Sequence, residues 1–398
     1  MCVGAAISAL CCAGSACCNC CCRGLGSLGI PAKNYPKVAY LVTDVLFMVI
    51  AVLLMYTFRP LFRDNDWLEC NEASGGGYEC FGTAAVLRAS FVLFLYHLSI
   101  LVLLIPRGQC ASIVHDSFFT IKFILLLGAY IGTFWMSNDF FVGWADFCRA
   151  GSILYLIVQA YFLLNFCYLW NDQLVAVAQQ GSCYANFLLC GFSIVLAIVD
   201  AVWFAFQFIW FSGCGLGTTV LVINVLFFLF FYGISLQRFC GCEKFRPNAT
   251  VLVVGLANTY VVYLSWSGLA SHPEPECNDL IDSGFNTFFQ ILVGTIFTFI
   301  TLWSIAVAST DTSNKEKNTM GQGVIEEEAA ESKPTSPENE EAALFPVTFQ
   351  TMFFQGIMFL TSTYFGMLFT NWGFAIIDGE VDKFTENATF SMWAKIVS

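Results

Sequence analysis

Nine long apolar stretches run through this 398-residue chain, and they limit its fold more than any other feature. They cover roughly 37–58, 84–105, 118–136, 147–169, 184–211, 216–236, 249–269, 285–309 and 347–370. Each holds about twenty residues, the length a helix needs to cross ~30 Å of hydrocarbon. In lipid every backbone N–H and C=O must be satisfied within the chain, so segments this apolar must be helical. A membrane β-barrel would instead alternate apolar and polar residues in strands of ~10 residues, which these stretches do not do. With 58% hydrophobic and 12% charged residues, little is left from which to build a soluble surface. The chain therefore reads as all-α, a polytopic transmembrane helix bundle of nine spans.

Charge and composition divide the chain into a Cys-rich segment at 1–35, spans one to eight over 36–309, an acidic loop at 310–345, and span nine with its tail over 346–398. The formal net charge is −12. Half of it is local, because residues 311–341 hold nine acids against Lys315, Lys317 and Lys333, a balance of −6. An acidic, aromatic-free run of this kind reads as a solvated, disordered loop. No basic patch points to nucleic acid.

Basic residues set the orientation. Arg23, Lys33, Lys37, Arg107, Arg238, Lys244, Arg246 and the three loop lysines fall on one side if the N-terminus is cytoplasmic. Arg59 and Arg63 are on the other side and weaken the asymmetry without reversing it. Nine crossings then leave the tail outside. There Asn387-Ala388-Thr389 is a glycosylation acceptor, whereas Asn248-Ala249-Thr250 faces the inside and stays silent. The outer loops meet an oxidising compartment, which makes Cys70 and Cys80 a disulfide candidate, with Cys214 and Cys277 as competing partners.

Cysteines crowd the start of the chain. Cys17, Cys18, Cys20, Cys21 and Cys22 lie beside the membrane on the cytoplasmic side and are candidates for S-palmitoylation. Two other readings stay open: a soft-metal site on the C-x2-C spacing, which lacks a second pair and a nearby His, and a small-residue helix in which Cys acts as a small hydrophobe.

Charges within the spans need a reason, since each costs ~3 kcal/mol at the bilayer centre even on the lenient scale. Asp44 in span one and Lys122 in span three lie at similar depth and are expected to pair. Arg88, and the Asp146–Arg149 pair at i, i+3, sit at span ends and are expected to snorkel to the interface. Asp200 lies deep in span five with Gln207 two turns on and no basic residue near in sequence. Asn224 in span six adds a polar group. His97, His115 and His272 fall in a span, an inner loop and an outer loop, so no shared metal site is expected. His115 reads as an interfacial anchor. No enzyme constellation is present: no HExxH, no GxSxG, no P-loop. The expectation is a non-enzymatic protein without cofactor or metal.

Several motifs in order resemble the serine incorporator family. They are His115-Asp116-Ser117-Phe118-Phe119-Thr120-Ile121-Lys122, Leu169-Trp170-Asn171, Tyr260-Val261-Val262-Tyr263-Leu264-Ser265-Trp266-Ser267, Pro273-Glu274-Pro275-Glu276-Cys277-Asn278 and Phe369-Thr370-Asn371-Trp372. The Cys-rich start and the acidic loop before span nine agree. Asp116 and Phe119 replace the Asn and Trp of the family pattern. The resemblance covers nearly the whole chain. It implies ten crossings, the last of which is missing here, in two sub-bundles joined by a long tilted helix at spans three to four. It also implies facilitated serine incorporation into phosphatidylserine and sphingolipids and phospholipid scrambling, in an endomembrane or the plasma membrane. On this reading Asp44, Arg88, His115, Lys122, Asp200, Asn224, Ser265 and Trp266 are candidates for a polar track that headgroups follow, and membrane phospholipids are the partners. Two alternatives are weighed beside it: a scaffold that recruits lipid-biosynthesis enzymes through the acidic loop, and a secondary transporter of serine or another small solute. The oligomeric state is not legible.

Overall fold

The computed structural model describes residues 35–64, 78–106, 109–181, 183–236, 250–272, 274, 276–280, 284–308, 349–372 and 392. The Cys-rich start, Cys70, the side chain of Cys80, the acidic loop and Asn387 lie outside the described residues, and with them the palmitoylation, glycosylation and Cys70–Cys80 expectations. Among the described residues the structure is all helix. We label the α-helices α1 (Tyr35–Asp64), α2 (Tyr78–Leu104), α3 (Gln109–Asp116), α4 (Phe119–Gly132), α5 (Asn138–Gln179), α6 (Cys183–Phe211), α7 (Gly215–Leu236), α8 (Val251–Leu269), α9 (Gly284–Ala308) and α10 (Phe349–Phe369). A 3-10 turn, Thr133–Trp135, extends α4.

Seven of these, α2 and α5 to α10, are long and apolar enough to cross a membrane. Among the described residues the count of nine is not confirmed. Of the two remaining expected spans, α1 is a helix of 30 residues with several side chains outside the described set. The other, α4 with its 3-10 turn, covers only Phe119–Trp135. The apolar helices also present large hydrophobic side chains outward, Ile194, Ile198, Leu226, Phe227 and Phe230 among them. In lipid such a surface needs no cover. The chain is an integral membrane protein.

Helix α5 outruns the span expected at 147–169 on both sides. It runs unbroken for 42 residues, about 63 Å at 1.5 Å per residue, or twice the hydrocarbon thickness. Residues 138–146, expected as an outer loop, are helical. So are 170–179 on the other side. Asp139 in its first turn complements the helix dipole.

The described chain forms two compact units, interleaved in sequence. One takes 1–67, 88–137 and 302–362, and the other takes 68–87, 138–301 and 363–398. In the first, α1 packs on α4, where Phe47 meets Tyr130 edge-on and the Tyr130 hydroxyl donates to the Ala51 carbonyl at 3.2 Å. In the second, α5, α6, α7 and α8 pack on one another. Their core gathers Leu163, Phe211, Leu221, Tyr260, Tyr263 and Trp266, with Trp203, Phe289 and Phe297 against it.

Close approach of helices in this unit depends on small residues. A Cβ at Gly151 of α5 would lie 2.5 Å from Thr363 Oγ1, and one at Gly294 of α9 would run into Tyr263 and Leu368. A disulfide joins Cys214 and Cys277, the pair that sequence offered only as a competitor. His272 lies near these two sulfurs. Their thiolates are spent on each other, so the group is a cross-link rather than a metal site.

Candidate functional site

A turn in the first unit places Lys122 among its polar residues. Between α3 and α4 the chain turns at Phe118, whose φ of 64° is left-handed. A bulky residue costs about 1–2 kcal/mol there, so the kink must be held by its surroundings. Lys122 N donates to Phe118 O at 3.0 Å, and the Lys122 ammonium turns back to the end of α3, donating to His115 O at 2.9 Å. The same ammonium donates to the Tyr40 hydroxyl at 2.9 Å, and that hydroxyl donates to His115 O. Lys122 also lies 4.5 Å from the Phe119 ring centroid and 4.8 Å from that of Tyr40. One buried lysine thus ties α1, α3 and α4 together.

Asp44 does not pair with Lys122. Its Oδ2 lies 2.9 Å from His97 Nε2 on α2. Direction explains the error: depth along parallel helices is legible in sequence, but the azimuth that decides which side chain points at which is not. The other nitrogen of His97 lies 2.9 Å from Gln355 Oε1 of α10. The Gln355 amide nitrogen is 3.2 Å from His115 Nε2, and His115 Nδ1 is 2.6 Å from Asp116 Oδ1. His115 is no interfacial anchor, because it is 4% exposed. His97 and Gln355 are wholly buried. Sequence missed the role of both. A lone His and a lone Gln on apolar helices give no signal until their partners, 53 and 240 residues away, are known.

Arg88 does not snorkel. It is fully buried, and its guanidinium donates to Thr133 O at 3.3 Å and Met136 O at 3.2 Å. Thr133 O already accepts from Met136 N at 3.1 Å, and the negative end of the dipole at a helix C-terminus favours a cation beside it. Arg149 and Asp146 do pair, at 3.0 Å, with the carboxylate 62% exposed. A pair that open contributes little.

In the second unit, two neutral side chains hold Asp200. Asn258 Nδ2 donates to it at 3.0 Å and the Thr259 hydroxyl at 2.9 Å. Two turns along α6, Gln207 donates to Val262 O at 3.0 Å and accepts from Ser265 at 3.2 Å. Ser267 donates to Gln290 Oε1 at 3.0 Å, and among the described residues the amide nitrogen of Gln290 has no hydrogen-bond partner. Trp266 is core, edge-on to Trp203. Asn224 is half-buried on α7 and joins none of these contacts. A cavity of about 10 Å³, lined by Tyr263, Ser267, Gln290, Tyr364, Asn371 and Trp372 among others, has room for about one water. Asn371 and Trp372 form its rim because both take left-handed φ values after α10, with Trp372 N donating to Met367 O at 2.8 Å.

The motifs that carried the resemblance therefore sit at structural junctions: 115–122 at the α3–α4 kink, 260–267 in the core, and 369–372 at the end of α10. The serine incorporator family profile matches residues 10–398. The chain belongs to the serine incorporator family. A probable serine incorporator of Monosiga brevicollis is 26% identical over 80% of this chain and 74% of that protein. Serine incorporator 5 of Danio rerio is 25% identical over 100% and 95%. Serine incorporator 2 of Homo sapiens is 24% identical over 80% and 72%. This member keeps Trp170-Asn171 of the family pattern, and Asn171 accepts a 2.6 Å hydrogen bond from Thr250, the residue that caps α8.

Proposed function

We propose that this serine incorporator moves phospholipid between leaflets without ATP, and in doing so supports serine incorporation into phosphatidylserine and sphingolipids. The compartment it fits is an endomembrane or the plasma membrane, with the N-terminus cytoplasmic. The names of its relatives support the serine part. The observation that carries the lipid part is the set of polar side chains buried in otherwise apolar helices: Asp200 with Asn258 and Thr259, Gln207 with Ser265, and Gln290 with Ser267. A headgroup needs such partners at hydrocarbon depth, where an unmatched charge costs ~3 kcal/mol or more. The cavity beside Gln290 is far too small to enclose a serine, which favours a lipid path over a closed solute pocket there.

Reconstituted liposomes carrying fluorescent phosphatidylserine or phosphatidylcholine, quenched from outside with dithionite and without ATP, test this. Quenching well past the outer-leaflet half is the expected result, reduced by Asp200→Leu. A plateau near one half with folded protein refutes the lipid reading and leaves the scaffold or solute-transporter alternatives.

A further inference from the structure

Five side chains of the first unit form one unbroken line: Asp44, His97, Gln355, His115 and Asp116. The four contacts along it measure 2.9, 2.9, 3.2 and 2.6 Å. Each is a hydrogen bond only if one hydrogen lies in it. A neutral imidazole carries one N–H, an ionised carboxylate carries none, and the amide gives a hydrogen on its nitrogen side and accepts on its oxygen side. Two histidines and one amide therefore bring three hydrogens to four contacts.

The shortfall does not depend on how the amide is placed. With its nitrogen toward His115, the His115 hydrogen is on Nδ1 and faces Asp116. The His97 hydrogen is then on Nδ1 and faces Gln355. That leaves two bare lone pairs, His97 Nε2 and Asp44 Oδ2, against each other at 2.9 Å. With the amide turned over, the bare pair is His115 Nδ1 against Asp116 Oδ1. In a site where His97 is 0% and Asp44 2% exposed, such a repulsion is not screened.

We propose that this line is a proton site. It holds one proton beyond what its neutral histidines and ionised carboxylates supply, and the Gln355 amide sets which end holds it. Turning the amide over, with one proton fewer at the Asp44–His97 end and one more at the His115–Asp116 end, converts one arrangement into the other. Asp116, 25% exposed, is the end through which a proton is exchanged with water.

The neighbours favour the inner end at rest. Facing the line are Lys37 and Tyr40 from α1, Tyr96 from α2, and Lys122 from α4. Burial first, then the positive charges of Lys122 and Lys37, hold the His115 pKa below its ordinary value against the pull of Asp116. The proton then resides between Asp44 and His97. Among the described residues the Oδ1 of Asp44 has no hydrogen-bond partner, which an un-ionised carboxyl tolerates better than a carboxylate.

The test uses the full chain in lipid nanodiscs at neutral pH, with nitrogen-15 histidine spectra and the infrared carboxyl band read together. The wild type is expected to show one excess proton, seen as a doubly protonated ring or as an un-ionised carboxyl that Asp44→Asn removes. Gln355→Leu cuts the line, so each histidine gives its single N–H to its own carboxylate and the excess proton is lost. Gln355→Glu removes the amide hydrogen, and the line then takes up two excess protons. This variant keeps the idea testable if the leucine variant does not fold. Two singly protonated rings and only ionised carboxylates in the wild type would overturn the proposal, as would a Gln355→Leu spectrum matching the wild type. Neither result bears on lipid scrambling, since the spectra are read without transport.

Discussion

Two glycines of α5 give opposite predictions for the same substitution. At Gly143 an added Cβ meets nothing within 4 Å. At Gly151 it would lie 2.5 Å from Thr363 Oγ1, 2.9 Å from Thr363 Cβ and 3.0 Å from Thr363 Cγ2. Ordinary contact between such atoms is about 3.5–4.0 Å, so the overlap is roughly an ångström on the branched end of a stiff side chain. Thr363 is fully buried and has no room to retreat. Overpacking of this size costs ~1–3 kcal/mol. Both substitutions also gain the ~0.5–1 kcal/mol that Ala holds over Gly inside a helix. Gly143→Ala should therefore stabilise by up to ~1 kcal/mol from the helix term alone. Gly151→Ala should destabilise by up to about 2.5 kcal/mol once the two terms are combined. Adding Thr363→Ala to Gly151→Ala should recover part of the loss as a coupling energy of roughly 0.5–3 kcal/mol. The assay is reversible unfolding of the purified protein in mixed micelles, followed by circular dichroism. Equal shifts of the same sign for the two glycine variants would refute the packing of α5 against Thr363.

Further outcomes follow from the polar contacts. Asp200→Leu strands the Asn258 amide, while Thr259 keeps its bond to Gly255 O at 3.0 Å; the expected loss is about 1–3 kcal/mol, read by the same unfolding assay and smaller for Asp200→Asn. Cys214→Ser opens a cross-link spanning 63 residues, for which the loop-entropy estimate is about 4 kcal/mol; reduction of the wild type should match it, and an unchanged midpoint would argue that the bridge is not formed. Burial holds the His115 pKa below its unfolded value, so the unfolded chain takes up the proton first. The stability His115 contributes is present above about pH 6.5 and is lost as pH falls toward the folded value. His115→Gln should flatten that part of the pH profile, and an unchanged slope would assign the acid sensitivity elsewhere.

Much of this protein was legible one residue at a time. Hydropathy alone demanded membrane helices, because an apolar segment of ~20 residues has no other way to satisfy its backbone in lipid. Ordered motifs such as 260–267 and 369–372 carried the family. The i, i+3 pair of Asp146 and Arg149 was visible because helix geometry is local. What failed was everything that needed an azimuth or a distant partner. Asp44 was assigned to Lys122 by depth, yet faces His97. Arg88 was assigned to the interface by its place near a span end, yet is sealed against the carbonyls of Thr133 and Met136. The line from Asp44 to Asp116 draws on four helices and on a glutamine with no sequence signature. Sequence by itself determined the solvent this chain folds in and the family it belongs to, since both are written in local composition and ordered motifs. Only the tertiary structure decided which buried polar groups meet, because hydrogen bonds are satisfied over ~3 Å in space and not over residues along the chain.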